Sequence, residues 1–217
     1  MAADTGVLVT RPAGQADDLC AELSAHGFRP VAQPMLELLP LEQPDNASRQ
    51  CLLHLDGYGH VIFISANAVR FGLDWIDGYW PQLPAGIHWY AIGERTATML
   101  SDRGLAPLSP GSNMTSEGLL ALPSLQSVQG ERALIVRGVG GRETLRQSLE
   151  ARGAHVDSLV CYERRPVSLE PAALAALLDR EQVDLVLLSS GEGLAHFTAL
   201  LPHGETTKLR ELTVIVP

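Results

Sequence analysis

The stretch Val7-Leu8-Val9-Thr10-Arg11-Pro12-Ala13-Gly14 returns, altered, as Ala133-Leu134-Ile135-Val136-Arg137-Gly138-Val139-Gly140. The offset of 126 residues persists downstream: Leu19 matches Leu145, Leu23 matches Leu149, Gly27 matches Gly153 and Glu37 matches Glu163. Each copy opens on a short aliphatic run, the pattern of a strand buried on both faces of a sheet. A turn follows, then a helical stretch. In the first copy Ala16, Leu19, Cys20 and Leu23 stand at i, i+3, i+4 and i+7, one face of a helix. Gly27 and Gly153 sit where a left-handed C-terminal cap belongs. Val156 to Val160 and residues 30–39 read as extended segments.

A second pair of units lies downstream of each copy. His60 to Ser65 reads as a strand leading into a helix from Ala66. Asp184 to Ser189 leads into another helix after Ser190, and Ser65 matches Ser190 at an offset of 125. A third strand, Trp89 to Gly93, precedes a helix from Arg95 to Arg103 that Gly104 stops. Its counterpart is Leu212 to Val216, with Gly93 matching Pro217 at an offset of 124. Strands alternating with helices through short connections imply parallel sheets covered on both faces. Two copies imply an α/β protein of two flavodoxin-like parallel-sheet domains, joined by a two-segment linker, with a cleft between them. The proline-bounded segments Pro34–Pro44 and Tyr162–Pro171 are the natural places for the chain to pass between domains.

Ligands in such folds sit at the carboxyl ends of the strands. The candidates are therefore Thr10–Arg11, Ser65–Asn67, Gly93–Thr96, Arg137–Arg142 and Ser189–Gly191. These turns are small, hydroxylic or glycine-rich, and each opens a helix whose free N–H groups attract anions. Ordinary N-capping explains any one of them; five on one cleft could hold several carboxylates. Gly138-Val139-Gly140-Gly141-Arg142 falls short of a dinucleotide fingerprint, because Glu143 stands where the third glycine belongs. It reads instead as a backbone cradle flanked by Arg137 and Arg142. Tyr162 could face the cleft and donate a proton, or be a half-buried strand tyrosine.

Composition narrows the field. The 217 residues are 46% hydrophobic and 19% charged, ordinary for a globular protein. No run approaches the roughly 18 apolar residues of a membrane span. Met1 to Gly6 lacks the features of an export signal, so the cytoplasm is the default location. A net charge of −9 without a basic stripe argues against nucleic acid or an anionic membrane as partner. Lys208 is the sole lysine beside fifteen arginines, whose forks suit carboxylates. Cys20, Cys51 and Cys161 suggest no disulfide framework or zinc site and read as core residues. The seven histidines show no metal spacing, and no Ser–His–acid set can be assembled.

On these residues the chain resembles the uroporphyrinogen-III synthase family along essentially its whole length. The matching segments are Val9-Thr10-Arg11-Pro12, Phe63 to Val69, Ala91-Ile92-Gly93 with Thr96-Ala97, and Thr115 to Leu120. Arg137-Gly138 with Gly140-Gly141-Arg142, and Tyr162-Glu163-Arg164, complete the set. The resemblance implies a discontinuous domain of residues 1–36 plus 168–217 and an inserted domain of residues 40–164, with linkers near 34–44 and 160–171. It places Val7–Val9 with Leu185–Leu188 in one sheet and Val61–Ile64 with Leu134–Val136 in the other. It implies a cofactor-free, monomeric enzyme that cyclises hydroxymethylbilane, a linear tetrapyrrole with eight carboxylates, while inverting ring D. Tyr162 matches the tyrosine that assists hydroxide departure, close to Ser65 and Thr96, hydroxylic residues of the cleft. Thr10, Arg11, Asn67, Gly93, Arg137, Gly138, Arg142, Ser190 and Gly191 would bind substrate. Family members continue past the strand at Val216, so about 30 further residues, one more strand-turn-helix unit, are expected in the natural protein. The alternative is a non-catalytic two-domain small-anion-binding protein; a nucleotide-dependent regulator is disfavoured by the broken glycine motif.

Overall fold

The structure is a computed structural model that describes residues 5–141, 143–201 and 212–216. Its elements run β1 (Gly6–Val9), α1 (Asp17–Ala25), β2 (Arg29–Ala32), β3 (Leu36–Pro40), α2 (Asn46–Leu53), β4 (His60–Phe63), α3 (Ala66–Tyr79), β5 (His88–Ala91), α4 (Glu94–Asp102) and α5 (Ser116–Leu120). They continue with β6 (Arg132–Gly138), α6 (Thr144–Ala151), β7 (His155–Pro166), α7 (Pro171–Arg180), β8 (Val183–Leu187), α8 (Gly191–Leu200) and β9 (Thr213–Ile215). The chain divides into two compact units at Leu38/Leu39 and at Glu163/Arg164. The first unit is built from both ends of the chain and the second from its middle.

The first unit carries a sheet of order β2-β1-β8-β9, in which neighbours run parallel. Val7, Leu8 and Val9 pair with Leu185, Val186 and Leu187, as the repeat and the resemblance together require. Side chains of β1 alternate. Leu8 packs with Met35, Val186, Leu178 and Phe197 on one face, and Val7 and Val9 pack with Ala16, Leu19 and Leu23 on the other. Both faces of this strand are covered, which is why it reads as an unbroken aliphatic run. Cys20 is only partly buried, unlike Cys51 and Cys161, because α1 lies on the surface and its apolar stripe is narrow. Val214, Ile215 and Val216, in and after β9, are about half exposed.

The second unit carries a sheet of order β3-β7-β6-β4-β5. Its β4 runs parallel to both β5 and β6, and Val61, Ile62 and Phe63 pair with Leu134, Ile135 and Val136. Ile62, Ala133 and Ile135 pack against Leu119 of α5 and Leu145 and Leu149 of α6. On the other face α3 lies close to the sheet at Gly72, where an added Cβ would collide with Val136.

Backbone conformation repeats with the sequence. Gly14 and Gly140 have φ of +73° and +72°, and Gly27 and Gly153 have φ of +83° and +85°. The matched glycines therefore make the same left-handed turns, a conformation costly for any residue with a Cβ. Residues 30–39 depart from the sequence reading. They form two strands in different sheets, β2 and β3, because the backbone is redirected around Pro34, where the Gln33 and Met35 N–H groups bond the Val9 and Thr10 carbonyls. Strand runs into both stretches expected as linkers: β3 ends at Pro40 and β7 extends to Pro166.

Candidate active site

In the second unit β4, β5 and β6 deliver Ser65, Gly93 and Gly138 to the carboxyl edge of the sheet, and β7 delivers Tyr162. Ser65 is the N-cap of α3, in extended conformation, and its Oγ accepts from the Ala68 N–H at 3.0 Å. That bond satisfies one of the donors a helix start leaves open.

Tyr162 reaches this edge through a bulge. Arg137 pairs with Val160 and Gly138 with Tyr162, so Cys161 is an extra residue in β7. A bulge bends the strand and re-aims the side chain beyond it. The Val139 N–H closes the ladder on the Tyr162 carbonyl at 2.8 Å. The Tyr162 ring is 5% exposed, tilts against Phe71 with centroids 5.5 Å apart, and lies across Gly138. Its Oη stands 3.1 Å from Ser65 Oγ. The neighbouring Cys161 thiol donates to the Arg137 carbonyl, and burial pushes it up to about 12.

The arginine of the glycine turn faces inward. Arg137 is 5% exposed; its Nη1 donates to Glu143 Oε1 at 2.8 Å and its Nη2 to the Gly140 carbonyl. It braces the turn, with its charge already matched by Glu143. Gly141, at φ +97°, leaves Nη2 room, since a Cβ there would stand 3.2 Å away. Arg142 lies outside the described residues. Gly93 is the N-cap of α4 and meets Met114. Thr96 is therefore not a cap: it lies buried within the first turn of that helix. Asn67 is the second residue of α3.

The first unit repeats the pattern at its own strand ends. Thr10, following β1, is buried, and its Oγ1 donates to the Leu187 carbonyl at 2.8 Å, tying β1 to the end of β8. Arg11, half-buried, follows it. Ser190 caps α8 as Ser65 caps α3, accepting from the Gly193 N–H at 3.0 Å, and Gly191 opens the helix.

Of the residues named from sequence, the structure joins Ser65, Gly138 and Tyr162 in direct contact. Phe71 was missed. It sits in an apolar helical pattern with Ala68 and Val69 and carries no signal beyond core. The second unit also has a cavity of about 570 Å³ bordered by Cys51, Tyr58, Arg132, Arg146 and Asp157, toward the strand starts. Its arginines are engaged. Arg132 bonds Tyr58 and Asp157, each at 3.1 Å, and Arg146 bonds the Val156 carbonyl and Ser158 Oγ. Among the described residues no group of three or more His, Cys, Asp and Glu could hold a metal ion. No helix among them is long and apolar enough to cross a membrane.

These features define a class: a two-unit parallel α/β protein with helix starts and a held tyrosine at its strand ends. Residues 17–217 match the family described as Uroporphyrinogen-III synthase HemD, and the chain belongs to that family. The Escherichia coli uroporphyrinogen-III synthase is 36% identical over 202 residues, covering 90% of this chain and 80% of that one. The Salmonella typhimurium protein of the same name is also 36% identical, over 201 residues, with the same coverage. A solved uroporphyrinogen III synthase from Thermus thermophilus shares the fold at a TM-score of 0.63 with 19% identity, over 98% of this chain and 83% of that one.

Proposed function

We propose that the chain closes hydroxymethylbilane into uroporphyrinogen III with inversion of ring D, and that Tyr162 is the acid of the first step. The C–O bond of the terminal hydroxymethyl group breaks as the pyrrole nitrogen pair moves in to form an azafulvenium cation, the N–H retained. The Tyr162 proton goes to the departing oxygen, which leaves as water. The substituted carbon of ring D attacks, forming a spiro pyrrolenine that fragments and recloses inverted. The proton released as the last carbon regains its pyrrole returns to Tyr162. Unassisted closure gives the symmetric type I isomer, so the protein's task is to hold the chain folded and to shield developing cation character.

The observation that carries this reading is the Tyr162 phenol, held at the strand ends 3.1 Å from Ser65 in a chain of this family. The helix starts at Ser65–Asn67, Gly93–Thr96 and Ser190–Gly191, with Arg11, Gly138 and Arg142, are proposed carboxylate contacts, mostly through backbone N–H groups. Thr10 and Arg137 support those contacts by bracing the strand ends they bond. The working form is a cytoplasmic monomer that uses no cofactor and binds no nucleic acid. Incubation with enzymatically generated hydroxymethylbilane, with the type I and type III isomers resolved, tests the proposal. Excess type III supports it, and type I alone would favour a protein that only binds anions.

A further inference from the structure

We infer that Gly138, Phe71 and Ser65 form a positioning device that aims the hydroxyl proton of Tyr162 away from the protein. The inference rests on the reading of Tyr162 as the acid and deepens it. Three contacts meet on one ring. Phe71 tilts against it at 33°. Gly138 lies under its hydroxyl end: an added Cβ would stand 2.7 Å from Cε2 and Cζ and 3.1 Å from Cε1. Such distances force one partner to move, and Tyr162 is also tied by its carbonyl to the Val139 N–H. The ring would be the part that shifts, carrying Oη with it. Gly138 is not among the glycines with positive φ, so alanine strains no backbone there and acts only through the ring.

Ser65 sets the direction of the proton. A hydroxyl has one proton and two acceptor sites. Ser65 Oγ spends one acceptor site on the Ala68 N–H, leaving its own proton free for Tyr162 Oη. With Ser65 donating, the Tyr162 proton is left for a ligand. The phenolate formed after transfer then meets a hydroxyl donor on a helix N-terminus, an orientation that favours negative charge. The reverse arrangement, with Tyr162 donating to Ser65, would withhold the proton from the substrate.

The test uses Gly138→Ala, Phe71→Leu, Ser65→Thr and Ser65→Asp, each alone and combined with Tyr162→Phe. Ser65→Asp keeps an acceptor for the Ala68 N–H but has no hydroxyl to donate. The readouts are kcat and KM for type III formation, and 19F NMR of 3-fluorotyrosine-labelled protein, whose four tyrosines are assigned through Tyr162→Phe. Gly138→Ala and Ser65→Asp should each lower kcat at least ~10-fold, part of the range typical of general acid assistance. The KM of Gly138→Ala, which keeps its backbone N–H, should stay within about twofold, as for an interaction made only in the transition state. Phe71→Leu should lower kcat in the same sense, and Ser65→Thr should retain most of it. In the Tyr162→Phe background the losses should vanish, as for residues acting through a shared partner. Gly138→Ala should move the Tyr162 resonance and leave the other three in place.

A raised KM with kcat intact would confine Gly138 to substrate binding and overturn the device. So would equal losses with and without the Tyr162 hydroxyl, or Ser65→Asp as active as Ser65→Thr. If Gly138→Ala does not fold, the Ser65 pair decides. A wild-type protein that forms no type III isomer would refute the proposed function alone, since the NMR arm reads the ring without turnover.

Discussion

Gly138 and Tyr162 are paired residues on adjacent strands, and the bare backbone of the first makes room for the ring of the second. The pairing exists only because β7 carries one residue more than β6 at Cys161. Without that bulge the Tyr162 side chain would emerge on the opposite face of the sheet, since a shift of one residue reverses the side. Inserting one alanine between Arg137 and Gly138 would give Cys161 a partner and turn Tyr162 to that opposite face, so it should lower type III formation at least as far as Tyr162→Phe does. Circular dichroism and isomer analysis on the same sample would check it, and an insertion variant with wild-type turnover would deny the bulge its role.

The repeated glycine caps should differ in cost. Gly27 and Gly153 share a left-handed backbone, but a Cβ at Gly27 meets nothing within 4 Å. At Gly153 it would collide with the Gln129 side chain. Gly27→Ala should cost about 1 kcal/mol from backbone conformation alone. Gly153→Ala should cost more, because Gln129 must also be displaced, and urea denaturation midpoints would rank the two.

Ser190→Ala should destabilise the first unit by about 0.5–2 kcal/mol, the usual cost of losing a cap. Ser190→Asp, which also accepts from the Gly193 N–H, should recover most of that. Chemical denaturation of the three proteins side by side is the measurement.

Alkaline stability should reflect buried acids. Burial pushes the Cys161 thiol up to about 12. Burial also raises Cys51 and Tyr58, with the hydrogen bond between them raising Tyr58 further. Each raised group binds its proton more tightly in the folded chain. Its contribution is fully present below the unfolded value, about 8.5 for a thiol, and is lost as pH climbs through the folded value. Denaturation midpoints should be flat near neutrality and fall above about pH 9. Cys161→Ala should show a shallower fall. The partly exposed Cys20 should react first with a thiol reagent, and mass spectrometry of the labelled peptides would locate it.

Much of the fold was legible because the sequence states it twice. Aliphatic runs placed β1, β4, β6 and β8, and the matched glycines placed turns whose φ values agree within a few degrees. The boundary between β2 and β3 was not legible, since both are extended and only hydrogen bonding to different partners separates them. At the site, Ser65 and Tyr162 could be named by position and residue type. Their contact could not, because it depends on a bulge that one extra residue leaves invisible in a strand pattern. Arg137 read as a ligand for carboxylates because an arginine beside a glycine turn often is one. Its pairing with Glu143 depends on how the turn folds back, which spacing does not reveal. Phe71 was hidden by its own helix, where an aromatic residue facing inward looks like core.

The most direct measurement is the isomer distribution and rate from enzymatically generated hydroxymethylbilane with the wild-type chain and Tyr162→Phe in parallel. The wild-type chain should give type III in large excess over the uncatalysed type I product. Tyr162→Phe should remain folded and form type III about 10²–10⁴-fold more slowly, the range expected for loss of a general acid. Undiminished type III formation by Tyr162→Phe would contradict the account, leaving Tyr162 a packing residue and the acid elsewhere.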